Sequence, residues 1–301
     1  MVGPPTEWSE RMPLPTTDTL VGYPDGDTTS TGVVVHVEPL PDRRSAILLD
    51  RTAFHPVDTA WPDQPADRGV LHTSVGTIPV VDGVTGGIHD GVLALGRDLP
   101  VRTGTPEWTF VVAHVVDGPV PEVGELVHVQ VDEGFRSALS AGHTACHLAS
   151  LALDAALADA WTKPVPTDPL GHPAFDSLAI QSSRIEPHGS VDVYRIGKSL
   201  RRKGFDPAAL ADPAAIAARA DALLAGWIAA GGAVRIERDD DALSARRTWA
   251  CDLDGRHVAI PCGGTHTTDL ESLGAVTVEL DVEPVEGGLQ VTMRTTAAPP
   301  R

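Results

Sequence analysis

From residue 20 to residue 131 the apolar positions come in short, valine-rich runs cut by proline, glycine and aspartate. "GVVVHVE" (32–38), "SAILLD" (45–50), "GTIPVVD" (76–82), "EWTFVVAHVV" (107–116) and "ELVHVQVD" (125–132) have the length and β-branched content of strands. Segments such as "PLPDRR" and "DGPVPEVG" supply the turns between them. The succession predicts a small antiparallel β-barrel over residues 20–132, with "HVQVD" as its last strand.

At about residue 133 the period changes. Residues 133–161 carry helix formers, apolar positions at helical spacing and no proline, which predicts a long helix. A second helix is bracketed by Asp212 as its cap, Pro213 at its first position and a Gly-Gly pair at 231–232. Between the two, residues 176–197 read as strand and turn. Beyond the second, residues 232–237, 248–261, 275–283 and 288–295 read as strands, with a hairpin turn at Asp254-Gly255. Strands wrapped around two helices make the fold class α+β, with a second domain over residues 133–301. Residues 1–19 are rich in proline and charge and lack an apolar signal core, so they read as the flexible leader of a cytoplasmic protein. No apolar run approaches the length of a bilayer, the longest being "FVVAHVV" (110–116), and no membrane partner is expected.

Charge narrows the function. With 41 acidic against 23 basic residues the net charge is −18, so the chain as a whole repels a phosphate backbone. Any nucleic-acid contact must be local, and the basic segments available are "KSLRRKGF" (198–205), with Arg201 and Arg202, and "SARRTW" (244–249), with Arg246 and Arg247. Three cysteines, at 146, 251 and 262, make no disulfide framework and leave thiols for a metal or the core.

Candidate chemistry lies in two short motifs. "AGHTACHLAS" (141–150) places His143 and His147 four apart on the first predicted helix, hence on one face with their side chains adjacent. "PCGGTHTTDL" (261–270) places Cys262 and His266 four apart, around two glycines that let the backbone turn sharply. Together they offer two histidines, a cysteine and a third histidine, a donor set suited to zinc. Cys146 lies about a quarter-turn from the histidine face and reads as core. Position 144 is threonine where a zinc peptidase helix carries its glutamate base, so a peptidase is not indicated.

These motifs resemble those of the freestanding alanyl-tRNA editing proteins, which are related to the editing domains of alanyl- and threonyl-tRNA synthetases. "HTACHL" (143–148) is similar to their HTxxHL segment, and "CGGTH" (262–266) matches their second motif letter for letter. "LLDRTAFHPVDTAWPDQPADRG" (48–69) is similar to their D-x-T-x-F-Y-P…G-G-Q-x-x-D-x-G stretch. The resemblance runs from about residue 20 to 295. It implies zinc-dependent hydrolysis of the ester between a mischarged amino acid, serine or glycine on alanine tRNA, and the terminal ribose.

On that resemblance His143, His147 and Cys262 are core ligands, and His266 is either a fourth ligand or the group that positions water. Thr52, Phe54, Gln64 and Thr265 would contact the substrate, and the arginines would contact the tRNA acceptor end. The sequence departs from the pattern at "WPD" (61–63), where the family has glycines, at His55 in place of tyrosine, and in a longer loop between Phe54 and Gln64. Those departures and the net charge keep two other readings open: a zinc hydrolase of a small ester or amide on the same scaffold, and a zinc-stabilised binding module.

Overall fold

The computed structural model describes residues 13–59 and 61–299. Fourteen strands of four residues or more and four α-helices make a mixed α+β chain in which sheet dominates. In order they are β1 (Thr29–Pro39), β2 (Arg44–Leu49), β3 (Gly69–Thr73), β4 (Gly76–His89), β5 (Val92–Leu95), β6 (Thr109–Asp117) and β7 (Leu126–Val131) in the N-terminal region. There follow α1 (Glu133–Ala156), α2 (Phe175–Ala179), β8 (Ile180–Glu186), β9 (Gly189–Ile196), α3 (Lys198–Arg202), α4 (Pro213–Ala230), β10 (Val234–Arg238), β11 (Arg247–Leu253), β12 (Arg256–Pro261), β13 (Ala275–Val285) and β14 (Gly288–Ala298).

The N-terminal strands pair antiparallel in the order β3-β7-β1-β2-β6-β4-β5, and β3 also pairs with the first half of β4. The ladder therefore returns to its starting strand, with β5 appended outside the ring. β4 bridges two partners by a register shift between Val80 and Asp82, the kind of bulge that bends a strand around a corner. Val34, Ile47, Leu49, Phe54, Leu71, Phe110, Val112, Val127 and Val129 pack together as one buried cluster. The strict alternation of β7 fits a strand with one wet face, whereas the consecutive buried residues of β2 and β6, His114 among them, reflect burial on both faces.

Strand β4 runs seven residues past the predicted "GTIPVVD". Its glycines obscure the pattern, but a Cβ on Gly86 or Gly87 would collide with Leu95, Leu99 or Trp108, so the close approach of β5 and its following turn requires them. The short strands β3 and β5 were not predicted; each has too few residues to establish a period.

Strands β8-β9-β14-β13 form a second sheet, and β10-β11-β12 a third. α1 crosses the second sheet and α4 packs on β13 and α1, enclosing a core with Leu148, Leu153, Phe175, Tyr194, Leu224, Trp227 and Trp249. Asp132 caps α1 by accepting the Phe135 N–H, and Asp212 caps α4 through Ala215. α1 ends at Ala156, five residues before the predicted 161, and the chain tightens into a 3-10 turn that carries Trp161 onto the Phe205 ring. The hairpin turns where expected, with Asp254 and Gly255 both at positive φ.

Two expectations need amendment. Helix Pro213–Ala230, although it carries Arg219 and Asp221, is long and apolar enough to qualify as a candidate membrane span by length and composition; here Ile216, Ala220, Leu224 and Trp227 are buried in the second core. Of the predicted leader, residues 1–12 lie outside the described residues. Thr19 is not loose: it is buried and bonded to Leu49 and Val112.

Several contacts tie the two regions together. Leu243, from the loop before β11, is buried in the N-terminal core, with backbone bonds from Val21 to Asp241 and from Leu243 to Thr19. Arg136, in the first turn of α1, donates to both oxygens of Asp67 and to the carbonyls of Ala53 and Asp27. Both side chains of that ion pair are almost fully buried.

Candidate metal centre

One turn of α1 presents His143 and His147, and the loop after β12 presents Cys262 and His266. The four donor atoms lie within 4.8 Å of one another, the only such group of three or more His, Cys, Asp or Glu found among the described residues. Cys262 Sγ is 3.4 Å from His143 Nε2 and 3.2 Å from His266 Nε2. The imidazoles of His143 and His147 stack at 5.0 Å, and those of His143 and His266 sit at 4.4 Å. Gly264 is what permits this closeness, because a Cβ there would overlap the His143 ring and the Gln64 amide oxygen.

The hydrogen bonds around the cluster leave its donor atoms facing inward. Gln64 Oε1 accepts from His143 Nδ1 at 2.7 Å, which puts the proton on Nδ1 and leaves the Nε2 lone pair toward the cluster. Thr144 Oγ1 stands 3.2 Å from His266 Nδ1 and does the same for that ring, being itself anchored by the Thr267 N–H. Gln64 is held in turn: its oxygen also accepts the Thr265 N–H, and its amide donates to Thr265 Oγ1 at 2.9 Å, which also accepts from the Ser140 hydroxyl. His147 Nε2 is buried with no hydrogen-bond partner. An orphaned buried imidazole nitrogen beside a thiol and two oriented imidazoles is costly without a cation and satisfied with one.

Electrostatics agree. Burial holds His143 and His266 well below the usual imidazole range and His147 down to about 4, so all three are neutral and able to ligate. Burial, with the nearby Asp63 and Asp58 carboxylates adding to it, pushes the Cys262 thiol up to about 12. The thiolate is the form that ligates, and a cation is what would stabilise it here. The residues therefore fit a metal ion.

Beside the cluster opens a cavity of about 460 Å³ at the seam of the two regions. His55, Asp58, Trp61, Asp63 and Gln64 line it from the N-terminal region; Leu243–Arg247 and residues 261–264 line it from the other, with Thr103 and His147. A larger cavity, of about 880 Å³, lies beside residues 13–16 on the N-terminal sheet and holds none of the four donors.

Of the residues expected at the substrate, Gln64 and Thr265 meet at the cluster. Thr52 and Phe54 are wholly buried: Thr52 Oγ1 is 2.9 Å from His114 Nε2 and accepts the Phe54 N–H, and the Phe54 ring meets His114 edge-on. Neither lines the cavity. Arg246 is exposed on the cavity wall. Arg247 is buried beside it, bonded to the carbonyls of Leu243 and Ala242. Arg201 and Arg202 stand elsewhere, exposed, with Arg201 donating to the Gly287 carbonyl. Cys146 is in the core behind α1, where its thiol faces Asp192 at 3.6 Å, and all three cysteines are free.

The sequence reading missed Asp63, whose Oδ2 is 3.6 Å from His143 Nε2 and whose carboxyl is pushed up to about 6 by burial. It also missed Arg136. A cation in the first turn of a helix opposes the helix dipole, and that misfit was the available signal that a buried anion awaited it.

No family model matches the chain. Among curated proteins it is similar to alanine–tRNA ligases. The match is 28% identical over 232 residues to that of Kineococcus radiotolerans, covering 77% of this chain and 22% of that protein. It is 33% identical over 102 residues to that of Caldivirga maquilingensis (34% of this chain, 9% of that protein). It is 35% identical over 135 residues to that of Halorubrum lacusprofundi (45% and 12%). The chain thus spans less than a quarter of the length of these relatives, and is related in sequence to part of an alanine–tRNA ligase.

Proposed function

We propose that the chain is a trans-acting, cytoplasmic aminoacyl-tRNA deacylase, a zinc hydrolase of the freestanding alanyl-tRNA editing type, in which the closed ladder of the N-terminal strands is a small barrel. The observation that carries the reading is the convergence of His143, His147, Cys262 and His266 beside a cavity whose other wall is the 55–64 loop. Relation to alanine–tRNA ligases supports the same substrate class. Discrimination by a binding pocket between amino acids differing by a methylene or a hydroxyl reaches only about 10–200-fold, which is the need that hydrolytic editing meets.

His143, His147, Cys262 and His266 would hold zinc, which supplies Lewis-acid polarisation of an ester carbonyl or a water. Gln64 fixes the His143 tautomer and Thr144 that of His266, so the donors need no rearrangement. The cavity would receive the scissile ester, while Arg246, exposed on its wall, faces the approach of the negatively charged acceptor end. Water adds to the carbonyl, the bond between the acyl carbon and the ribose oxygen breaks, that oxygen takes up a proton from the attacking water, and the amino acid is released as its carboxylate.

The test is deacylation of Ser-tRNA(Ala), Gly-tRNA(Ala) and Ser-tRNA(Thr), with zinc measured on the same sample. Release from one of them, reduced at least about 100-fold in His143→Ala or Cys262→Ala, is expected. Equal rates in wild type and His143→Ala overturn the site. One zinc per chain without release from any tRNA turns the reading to a hydrolase of small esters or amides, which the acidic residues Asp58 and Asp63 in the cavity and the −18 net charge favour.

A further inference from the structure

The cavity beside the metal centre carries a carboxylate that the reaction outlined above leaves unused. Asp63 is held by side chain and backbone. Its Oδ1 accepts the Gln64 N–H at 2.8 Å, and its carbonyl accepts the Ile185 N–H from β8 at 2.8 Å. Its Oδ2 is thereby aimed at the cluster, 3.6 Å from His143 Nε2, with the side chain still about one-fifth exposed toward the cavity. When His143 Nε2 ligates a metal it has no proton for Asp63, and that oxygen keeps its acceptor capacity for whatever enters.

We propose that Asp63 receives the free α-ammonium group of the substrate amino acid, so that the site selects esters of unblocked amino acids. The inference rests on the deacylase reading and deepens it. In an aminoacyl ester the α-nitrogen lies about 2.5 Å from the reacting carbonyl carbon, by the bond lengths and angle of the N–Cα–C unit. A carbonyl held against the cluster therefore brings its ammonium within reach of a group that itself touches the cluster.

The side-chain oxygens that orient the cluster are already engaged. Gln64 Oε1 accepts from His143 and Thr265, Thr265 Oγ1 accepts from Gln64 and Ser140, and Thr144 Oγ1 accepts from Thr267. Asp63 is a charged acceptor, and Asp58, lining the same cavity, adds to the negative potential around it. An ammonium ion is the complement to that potential; a bond between it and a carboxylate is among the stronger in water-excluded sites.

The probes are non-hydrolysable amide-linked glycyl-, alanyl- and seryl-3′-amino-3′-deoxyadenosine, each with a free amine and as its N-acetyl counterpart. Binding to the metal-loaded protein is measured by calorimetry for wild type, Asp63→Asn and Asp63→Glu, with metal content determined alongside. Wild type is expected to favour the free amine roughly tenfold or more. In Asp63→Asn the ratio should collapse toward unity, and in Asp63→Glu it should be partly retained. Equal binding of free and acetylated probes by wild type overturns the role of Asp63 and leaves the deacylase reading standing. A preference that survives in Asp63→Asn overturns it as well. Failure of every probe to bind metal-loaded wild type removes the deacylase reading and this inference with it.

Discussion

The two regions of the molecule serve the candidate metal centre in different ways. The C-terminal region supplies all four donors from only two places, one helical turn and one glycine-hinged loop. The N-terminal region supplies no donor; it contributes the 55–64 loop, whose Gln64 orients His143 and whose Asp63 reaches the cluster. Donors must meet within a few ångströms, which one turn of α1 and the close approach allowed by Gly264 achieve. Gln64 orients His143 from a loop, and that loop must itself be anchored. Here the anchor is the buried Arg136–Asp67 pair, with the His55 N–H also bonded to Asp67 at 2.6 Å.

Breaking that anchor should have the largest effect. Arg136→Ala leaves Asp67 buried without its partner, and loss of one member of such a pair costs about 3–5 kcal/mol. Urea unfolding should show that loss. A decrease under about 1 kcal/mol, the range of an exposed pair, would mean the regions are held mainly by Leu243 and the strand contacts. Gln64→Ala separates the regions' roles more finely. The fold should persist, while metal affinity, measured by competition with a chromogenic chelator, falls about 10–100-fold, as for loss of other groups that orient metal-bound imidazoles. Unchanged affinity would show that the C-terminal region orients its own donors.

The smallest effect per pH unit is expected behind α1, away from the seam. Asp154 is buried there, accepts the Asp176 N–H at 2.7 Å, and is pushed up from 3.8 to about 9 by burial, with Asp176 and Asp168 adding to it. The folded chain thus keeps a proton that the unfolded chain releases. This group's stabilisation is complete below about pH 4 and is lost as pH rises toward about 9, with a slope of at most about 1.4 kcal/mol per pH unit. Melting temperatures across that window should fall less steeply in Asp154→Asn than in wild type. An identical slope would place the charged form in the fold.

Legibility differed between the regions for the same physical reasons. His143, His147, Cys262 and His266 could be read because i, i+4 spacing on a helix, and a pair of glycines between two donors, are local geometry. The Asp212 cap and the Asp254-Gly255 turn were legible for the same cause, since each satisfies backbone needs within a few residues. The short strands β3 and β5 were not, because pairing partners far along the chain, and not an internal period, make them strands. The full length of β4 was hidden by Gly86 and Gly87, which look like breakers until Leu95, Leu99 and Trp108 are seen packed against them.

What the sequence by itself determined was which four His and Cys residues could come together, the change from strand to helix near residue 133 and the sign of the whole molecule's charge. These follow from periodicity, spacing and composition, which need no partner. Only the tertiary structure decided which residues share the site. It joined Gln64 to Thr265, 201 positions apart, seated Arg246 on the cavity wall, left Arg201 and Arg202 away from it, buried Thr52 and Phe54 within the strands, and brought Asp63 to the metal centre. The physical reason is that a buried polar group must find its partner wherever the packed chain provides one, and nothing in local spacing names that partner.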